Sequence, residues 1–535
     1  MKYLVRYLKR EPKIVVQVVI LTIIASALRV VHALINVQIF NELIALRMQS
    51  FFQWVACDVG VFTILSVFLI VLEIQRVKAV QYLSRDLRRD IIKRLSRKTI
   101  QEYSKADTGV YASWLTNDMN TIEANGFSNL LQAIQIITDP LFSLIALVKF
   151  SWTFIPLVLI ASLLTVVLPQ FIHQKLARAS LLTTKANEHL LNRITDALRG
   201  FTTFSIFGVE RQLESRILSA VEVVIKKKVK QARYQAIANN IAGLSNIFGQ
   251  LGIQAWTGFL AFTHVISIGV IASSGNLSYN VFNSLAVIAP IWTEMTSLNP
   301  VFAKYHLDDQ HEIKKQGKEL LDEYFSSLEV TDLQMQFDQK KVFRQPLTCT
   351  ITAGQKIGIY GESGSGKSTF MKIISGQIPN YSGSLKLNQV EERDLSYSAI
   401  RKYLLYVNQT PYLFNDTIRY NLCLGEIFTI DQLKEALKKA DLWSFVQKLP
   451  NGLETKVSEN GTNLSGGKKQ RLALARGLLR NRQVFLLDES TSNLDKASAL
   501  KVEDSFLRLK DVTVIFVSHQ LHKENQEEFN QIIEI

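Results

Sequence analysis

The sequence predicts an α-helical membrane domain with six transmembrane helices, followed by an α/β domain. Apolar residues make up 47% of the 535 residues and are concentrated in windows nearly free of Asp, Glu, Lys and Arg. About 20 such residues span the hydrocarbon core of a bilayer, which is about 30 Å thick. After residue 326, short apolar strands such as KIGIY and QVFLLD alternate with amphipathic helices, as is typical of α/β domains. We therefore expect a membrane domain at 1–305, a charged connector at 306–326 and an α/β domain at 327–535.

The membrane domain is expected to begin with an interfacial helix. MKYLVRYLKREPK is basic and amphipathic, and Pro12 separates it from the first apolar window. Two long polar stretches, after the second and fourth windows, are rich in Lys and Arg, whereas the connections ELIALRMQS, KFSW and ASSGNLSYN are short and contain almost none. The positive-inside rule therefore places the long loops and both termini in the cytoplasm. The predicted spans are 14–36, 54–74, 129–149, 153–173, 241–269 and 280–302.

The net charge of +14 does not by itself indicate a nucleic-acid partner. The Lys and Arg residues are concentrated between the predicted spans, where the positive-inside bias is a sufficient explanation. Cys57, Cys349 and Cys423 lie far apart and have neither zinc-site nor disulfide-framework spacing. We therefore expect no nucleic acid among the partners and structural, reduced thiols.

A phosphate-binding loop follows an apolar strand in the segment QKIGIYGESGSGKST, residues 355–369. Its glycines, lysine and serine have the GxxxxGK[ST] spacing, in which backbone N–H groups approach the α and β phosphates of a nucleotide. The lysine neutralises the β and γ phosphates, and the serine hydroxyl is placed for Mg²⁺. The expected nucleotide-binding residues of this loop are Gly361, Glu362, Ser363, Gly364, Ser365, Gly366, Lys367, Ser368 and Thr369.

Two carboxylates end a second apolar strand in the segment VFLLDES. Asp488 can organise Mg²⁺ through water, and the adjacent Glu489 can polarise an attacking water molecule. Such a pair alone is more often solvated surface, but the phosphate loop in the same domain favours a catalytic role. The predicted cofactors are therefore ATP, which Asp488 also helps to bind, and Mg²⁺.

A second glycine-rich segment, NLSGGKKQRLALAR at residues 463–476, opens another helix. A helix start presents unpaired N–H groups and the positive end of the helix dipole, which suits a phosphate. Together with the phosphate loop, this segment resembles the ATP-binding-cassette family, specifically its exporter-type half-transporters. LSGGKKQR matches the signature motif of that family, normally Leu-Ser-Gly-Gly-Gln, with Lys468 where Gln is usual.

The resemblance implies roles for further residues. Gln409 matches the Q-loop glutamine, which senses Mg²⁺, and His519 matches the switch histidine, which contacts the γ phosphate. Phe337 looks like the aromatic residue that stacks on adenine, although Tyr is usual there, and residues 492–495 match the D-loop. The implied catalytic residues are Glu489, His519 and Gln409, and the implied Mg²⁺ ligands are Ser368, Gln409 and Asp488.

The resemblance also implies a dimer. In this family two ATPase domains pair head to tail, so Ser465, Gly466 and Gly467 are expected to act on the nucleotide of the other subunit. One ATPase domain and six spans therefore require a second half-transporter, with a homodimer favoured over a heterodimer. The expected function is ATP-driven export by alternating access from a bacterial cell membrane, with membrane lipid around the spans and the ATPase domain in the cytoplasm. A peptide, a lipid or an amphipathic drug-like molecule could be the substrate.

Three alternative functions differ in their sequence requirements. An importer is disfavoured by the fused domains and short outer loops, and a soluble DNA-repair ATPase is excluded by the predicted spans. An ATP-gated channel or a regulatory membrane ATPase with the same fold remains the alternative. Ionisable side chains at membrane depth usually face a cavity, although a structural role is equally open for them here. The candidate substrate contacts are Arg29, His32, Asp139 and Glu294.

Overall fold

The computed structural model describes residues 2–168, 170–307, 318–319, 322–337, 340–362, 364–491, 496–518 and 523–535. Within these ranges, the side chains of residues 166, 173, 337, 340, 498 and 523 are not described. The chain divides into two compact units, the first containing Met1–Lys93 and Thr108–Asp308, the second containing Arg94–Asp107 and Asp309–Ile535. The second unit is therefore discontinuous in sequence. We refer to the first as the membrane unit and to the second as the ATPase unit.

Helices joined by short turns build the membrane unit. Their bounds, together with the short helix α4 that lies in the ATPase unit, are α1 Lys2–Leu8, α2 Pro12–Ile44, α3 Met48–Leu95, α4 Ile100–Tyr103, α5 Thr108–Leu115, α6 Asn117–Ile122, α7 Asn129–Phe150, α8 Phe154–Val167, α9 Gln170–Arg199, α10 Phe201–Ile206, α11 Glu210–Phe262, α12 Val270–Ser297 and α13 Asn299–Lys304. A π-helical segment, Glu123–Ser128, joins α6 to α7. Pro12 lies in the first turn of α2, where its missing N–H leaves no helical hydrogen bond unmade, so the predicted break after α1 is observed.

Four helical segments among the described residues are long and apolar enough to cross a membrane, by length and composition. They are Pro12–Ile44, Met48–Leu95, Thr108–Phe150 and Phe154–Ile172, and they coincide with the first four predicted spans. The fifth and sixth predicted spans overlap α11 and α12, which are long helices. The count of six spans therefore remains a prediction for those two helices.

The prediction of an outer loop at ASSGNLSYN, residues 272–280, is wrong. These residues lie inside α12, and the turn falls earlier, at residues 263–269. The Ser273 hydroxyl donates to the backbone oxygen of Ala33 at 2.5 Å. A Cβ on Gly275 would lie 2.4 Å from Gln254 Nε2, so the end of that side chain would have to move. Small residues that indicate a turn in a sequence here allow close packing of α12 against α2 and α11. The predicted fifth and sixth spans are consequently misplaced at this connection.

The ATPase unit contains two main sheets. Strands β4, β1, β6 and β7 form an antiparallel sheet in that order, and β11, β5, β10, β9 and β8 form a parallel sheet. The strands are β1 Ser327–Gln334, β2 Gln336–Phe337, β3 Lys340–Lys341, β4 Leu347–Thr352, β5 Lys356–Tyr360, β6 Ser382–Leu387, β7 Val390–Glu391, β8 Leu404–Val407, β9 Val484–Asp488, β10 Thr513–Val517 and β11 Gln531–Glu534. The helices are α14 Lys367–Ile374, α15 Tyr397–Tyr403, α16 Ile418–Cys423, α17 Ile430–Lys439, α18 Trp443–Gln447, α19 Gly466–Leu479 and α20 Lys496–Leu507.

The parallel sheet brings the carboxyl ends of β5, β9 and β10 to one edge. The side chains of β9 and β10 are buried along their whole lengths, as expected for parallel strands covered on both faces. The carboxyl ends of β5, β9 and β10 share one edge, and ligands of open α/β sheets bind outside such an edge. The predicted order of a helical membrane domain and an α/β domain is therefore observed, and the phosphate loop begins at this edge.

Candidate functional site

The phosphate loop lies between β5 and α14. Gly366 precedes α14 with a φ of 100°, and a Cβ at this position would lie 2.8 Å from Val342 Cγ1 and 2.9 Å from the Phe343 ring. Both the left-handed backbone and the close approach therefore require glycine. Lys367 follows at the first position of α14, so the turn sets the direction of its side chain.

The Lys367 ammonium lies inside this loop. It is 4% exposed and donates to the backbone oxygens of Gly361 and Glu362, each at 2.8 Å. The Ser365 Oγ is also buried and has no hydrogen-bond partner among the described residues. A buried hydroxyl without an acceptor is costly, and a phosphate oxygen is an acceptor. The loop therefore fits a nucleotide phosphate chain.

The Asp488 carboxylate joins the loop to the end of β9. The Ser368 hydroxyl donates to its Oδ1 at 2.8 Å, and the Tyr406 hydroxyl donates to its Oδ2 at 2.6 Å. Asp488 is 8% exposed, so both carboxylate oxygens are held by hydroxyl groups in a mostly buried position. Burial and the hydrogen bond to Asp488 raise the pKa of Tyr406 well above its usual range, so its hydroxyl remains a donor at neutral pH.

Glu489 follows Asp488 in a left-handed backbone conformation, with a φ of 46°. Its backbone N–H donates to the oxygen of Val517 at 3.0 Å, which fixes the residue across the ends of β9 and β10. A non-glycine residue with positive φ is uncommon, and such strain is concentrated at functional sites. The Glu489 side chain is half-buried at this turn.

A buried glutamine in α19 holds the segment that contains Gln409. The Gln470 Nε2 donates to the backbone oxygen of Gln409 at 2.7 Å and to that of Asn408 at 3.3 Å. Gln470 is 2% exposed, so this contact is a fixed part of the interior. The helix that begins with the signature segment is therefore hydrogen-bonded to the predicted Q-loop.

The signature segment presents an open helix start. Ser465 precedes α19 and makes no capping hydrogen bond with its side chain; Ser465 and Gly466 are exposed, whereas Gly467 is buried. The first N–H groups of a 14-residue helix are available there to an anion. The Lys468 ammonium is not part of this helix start, because it lies 3.9 Å from the ring centroid of Phe445.

Some predicted site residues lie outside the described part of the structure. They are Ser363, His519 and residues 492–495, and for Phe337 only the backbone, in strand β2, is described. The roles expected for them stay predictions. Of the remaining loop residues, Glu362 and Gly364 are exposed and Thr369 is partly buried within α14.

Two residues of this site were missed by sequence reasoning, Tyr406 and Gln470. Tyr406 pairs in parallel register with Leu486, two residues before Asp488, so its position depends on a strand pairing that motif spacing does not contain. A signal was nevertheless present, because Tyr406 is a polar-tipped residue near the end of an apolar strand and three residues before Gln409.

The ionisable residues proposed as substrate contacts are paired with protein groups in the membrane unit. The Arg29 guanidinium lies 2.6 Å from the Asp139 carboxylate, which also accepts from Ser26 at 2.5 Å. The His32 Nδ1 lies 2.7 Å from an Asp58 oxygen. The Glu294 carboxylate accepts from Asn129 Nδ2 at 2.7 Å. These contacts favour the structural role that the sequence left open, because the charge of Arg29 already has a counterion.

Comparison with known proteins identifies the family. Residues 15–285 match the family described as the ABC transporter transmembrane region, and residues 344–492 match the family described as ABC transporter. An ATP-dependent lipid A-core flippase of Francisella tularensis subsp. holarctica (strain OSU18) is 26% identical over 452 residues, which are 81% of this chain and 73% of the relative. The pediocin PA-1 transport/processing ATP-binding protein of Pediococcus acidilactici is 29% identical over 355 residues, 64% of this chain and 48% of that protein.

A solved structure supports the same fold. A bacterial Atm1-family ABC exporter with ATP bound has a TM-score of 0.81 and 20% sequence identity, over 98% of this chain and 94% of the other. The fold and the site thus define a membrane protein with a P-loop ATPase domain. The chain belongs to the ABC transporter family, with an exporter-type membrane domain. ATP binding and ATP hydrolysis coupled to transport follow from this membership.

Proposed function

We propose that this chain exports an amphipathic substrate across a bacterial cell membrane as a dimer that binds two ATP molecules between its cytoplasmic ATPase domains. One observation carries the proposal: the chain contains both an enclosed phosphate loop and a separate, exposed helix start at Ser465 and Gly466. Both features suit phosphate. A second copy, in head-to-tail orientation, uses both features at each of two equivalent sites.

Mg²⁺ fits the oxygen atoms at the end of β9. Ser368 and Asp488 present a hydroxyl and a carboxylate 2.8 Å apart, and oxygen ligands are those that Mg²⁺ prefers. We propose that these two residues and Gln409 hold the ion, which neutralises charge on the β and γ phosphates when bound. Lys367 then adds a fixed positive charge from within the loop.

Glu489 is the proposed general base. A carboxylate beside Asp488 can orient the attacking water and accept its proton. The hydrogen bond from its backbone N–H to Val517 fixes the base across two strands of the rigid sheet. His519 is proposed to contact the γ phosphate, and Phe337 to stack on adenine.

The substrate class is proposed from the relatives and from the membrane unit together. One relative is named as a lipid A-core flippase and another as a pediocin PA-1 transport/processing protein, and we take both names as support for a large amphipathic substrate. The pairing of Arg29 with Asp139 and of His32 with Asp58 leaves these side chains less suited to a small free anion. Shape and apolar contact are therefore proposed to select the substrate.

Transport and ATP hydrolysis should be measured on the full chain expressed alone. In nanodiscs the expected species is a homodimer that hydrolyses ATP, and in inverted vesicles a fluorescent lipid or an amphipathic peptide should accumulate only with ATP. Glu489→Gln is the matched inactive variant.

Three results would contradict parts of the proposal. An inactive monomer that gains activity only with a different half-transporter would replace the homodimer by a heterodimer. ATP-dependent ion current without accumulation of either probe would indicate a channel. Accumulation that persists in Glu489→Gln would contradict the assigned base.

A further inference from the structure

Tyr406 is hydrogen-bonded to Asp488 and also lines a cavity within the ATPase unit. Its hydroxyl donates to Asp488 Oδ2 at 2.6 Å, at the phosphate-loop edge of the sheet. Tyr406 also lines a cavity of about 320 Å³, together with Ile100, Tyr397 and Ile400. Ile100 belongs to α4, within Arg94–Asp107, the part of the ATPase unit contributed by the long loop after α3.

We infer that Tyr406 is a positioning residue that fixes the Asp488 carboxylate to the wall of the cavity lined by Ile100. Asp488 has two oxygens; among the residues that the structure describes, Ser368 donates to one and Tyr406 to the other. If Ser368 and Asp488 Oδ1 bind a metal ion, the hydrogen bond from the Tyr406 hydroxyl to Oδ2 still orients the Asp488 carboxylate. Tyr406 itself does not touch the nucleotide in this role.

The geometry of Tyr406 suits positioning better than a general packing role. A phenylalanine would fill the same space in β8, so packing alone does not require the hydroxyl. The hydroxyl is directed at a carboxylate that is 8% exposed, and a hydrogen bond to a charged, buried group is stronger than one between neutral groups. Partners of metal-binding side chains typically change metal affinity by about 10- to 100-fold when removed.

The connection to the cavity follows from the same side chain. β8 ends at Val407, and Tyr406 is partly buried within it. The backbone beyond it is held by Gln470, through Asn408 and Gln409, so the strand end cannot shift freely. Because Ile100 and Tyr406 line the same cavity, we expect a change in how the Ile100 segment fills it to reach Tyr406 and, through the Tyr406 hydroxyl, Asp488.

The inference rests on the proposed function, because it needs Asp488 to hold Mg²⁺. The test is binding of a non-hydrolysable ATP analogue to the full chain in nanodiscs, titrated with Mg²⁺ and repeated in EDTA. For Tyr406→Phe we expect the half-saturating Mg²⁺ concentration to rise at least about tenfold, with the affinity in EDTA unchanged. Tyr403→Phe is the matched control, since it removes a hydroxyl that donates to the backbone oxygen of Asp322, and it should leave both values unchanged.

Asp488→Asn distinguishes a failure of the proposed metal site from a failure of the role inferred for Tyr406. Asp488→Asn should abolish the effect of Mg²⁺ on binding; if it does not, the proposed metal site is wrong. If Asp488→Asn abolishes the effect while Tyr406→Phe behaves as wild type, the inference about Tyr406 alone is overturned.

The link to the cavity has its own test. Ile100→Ala should shift the half-saturating Mg²⁺ concentration in the wild-type background and have no effect in the Tyr406→Phe background. An equal shift in both backgrounds would show that the two residues act independently and would overturn the link. Melting temperatures of all variants, measured without nucleotide, identify any general loss of structure.

Discussion

The Lys468 ammonium lies over the Phe445 ring, 3.9 Å from its centroid. Lys468 replaces the glutamine that is usual in the signature motif, and Phe445 lies in the short helix α18 of the same domain. The positive charge of Lys468 therefore lies against an aromatic ring of the same chain. The sequence change adds an internal contact and leaves the exposed Ser465 and Gly466 unaltered.

Lys468→Gln should consequently change stability more than activity. We expect the unfolding free energy of the ATPase unit to fall by about 0.5–1 kcal/mol, the value of a cation–π contact at a partly exposed site. ATP turnover should stay close to that of wild type, because Lys468 lies against Phe445 and the exposed Ser465 and Gly466 are unchanged. Phe445→Leu should remove the same contact, so the double variant should be less destabilised than the sum of the two. A strict sum in thermal unfolding would contradict the contact.

Glu489→Gln should bind ATP normally but stop turnover, because the amide keeps the size of the side chain and cannot accept the proton. Removal of a general base typically costs about 10²- to 10⁴-fold. The measurement is phosphate release together with equilibrium ATP binding. Glu454→Gln is the control, since this exposed carboxylate pairs with Arg419 on the surface of the same domain. Retention of more than about a tenth of wild-type hydrolysis would exclude Glu489 as the base.

Lys367→Ala should weaken ATP binding by about 10- to 100-fold, the value of a lost hydrogen bond to a charged group. The ammonium also donates to Gly361 and Glu362, so the melting temperature without nucleotide should fall as well. Lys372→Ala, on the exposed side of the same helix, is the matched control. Equal ATP affinity in Lys367→Ala and wild type would exclude this lysine from phosphate binding.

Lys356 should make the stability of the ATPase unit depend on alkaline pH. Burial lowers its pKa from 10.5 to about 8, and the nearby Asp511 opposes that shift; its ammonium donates to the oxygens of Leu509 and Val512. Because the unfolded state binds more protons between pH 8 and 10.5, stability should increase with pH in that window, and the burial penalty should be complete below pH 8.

Thermal unfolding of wild type and Lys356→Met, measured from pH 7 to pH 10 (about the range of the lysine titration), tests this dependence. The difference between the two proteins isolates Lys356 from other titrating groups. The stability of Lys356→Met should not increase with alkaline pH. The substitution also leaves the carbonyl oxygens of Leu509 and Val512 without the lysine donor, which lowers stability equally at every pH. Parallel curves for the two proteins would contradict the lowered pKa.

Arg29→Gln should destabilise the membrane unit by leaving Asp139 as an unpaired, mostly buried charge. Breaking a buried pair costs at most about 3–5 kcal/mol, and less is expected here because Arg29 is 26% exposed. The double variant Arg29→Gln with Asp139→Asn should recover most of the melting temperature. A double variant as unstable as the single one would contradict the pairing of Arg29 with Asp139. A changed substrate preference of Arg29→Gln at unchanged stability would instead indicate that Arg29 contacts substrate.

The phosphate loop was predictable because its residues are adjacent in sequence. Spacing alone places Gly366, Lys367 and Ser368 at one turn, and an apolar strand ending in Asp488 predicts a carboxylate at the same sheet edge. The order of the membrane and α/β domains was predictable for the same reason, since about 20 apolar residues are a local signal.

Features that depend on distant contacts were not predictable in this way. Tyr406 reaches Asp488 through the pairing of β8 with β9, and Gln470 reaches the Q-loop from a different helix. The prediction of a loop at ASSGNLSYN is wrong because Ser and Gly occur both in turns and in closely packed helices. The counterion of Arg29 is 110 residues away in sequence, which no local pattern contains.

The discontinuity of the ATPase unit affects the order in which the protein is made. A ribosome synthesises Arg94–Asp107 before Thr108–Asp308 of the membrane unit, and it synthesises Asp309–Ile535 last. At about 5–20 residues per second, tens of seconds separate the two pieces. The early segment must therefore stay accessible until Asp309–Ile535 has been made. Assembly of the ATPase unit from its two pieces can therefore be completed only after the last residues of the chain have been synthesised.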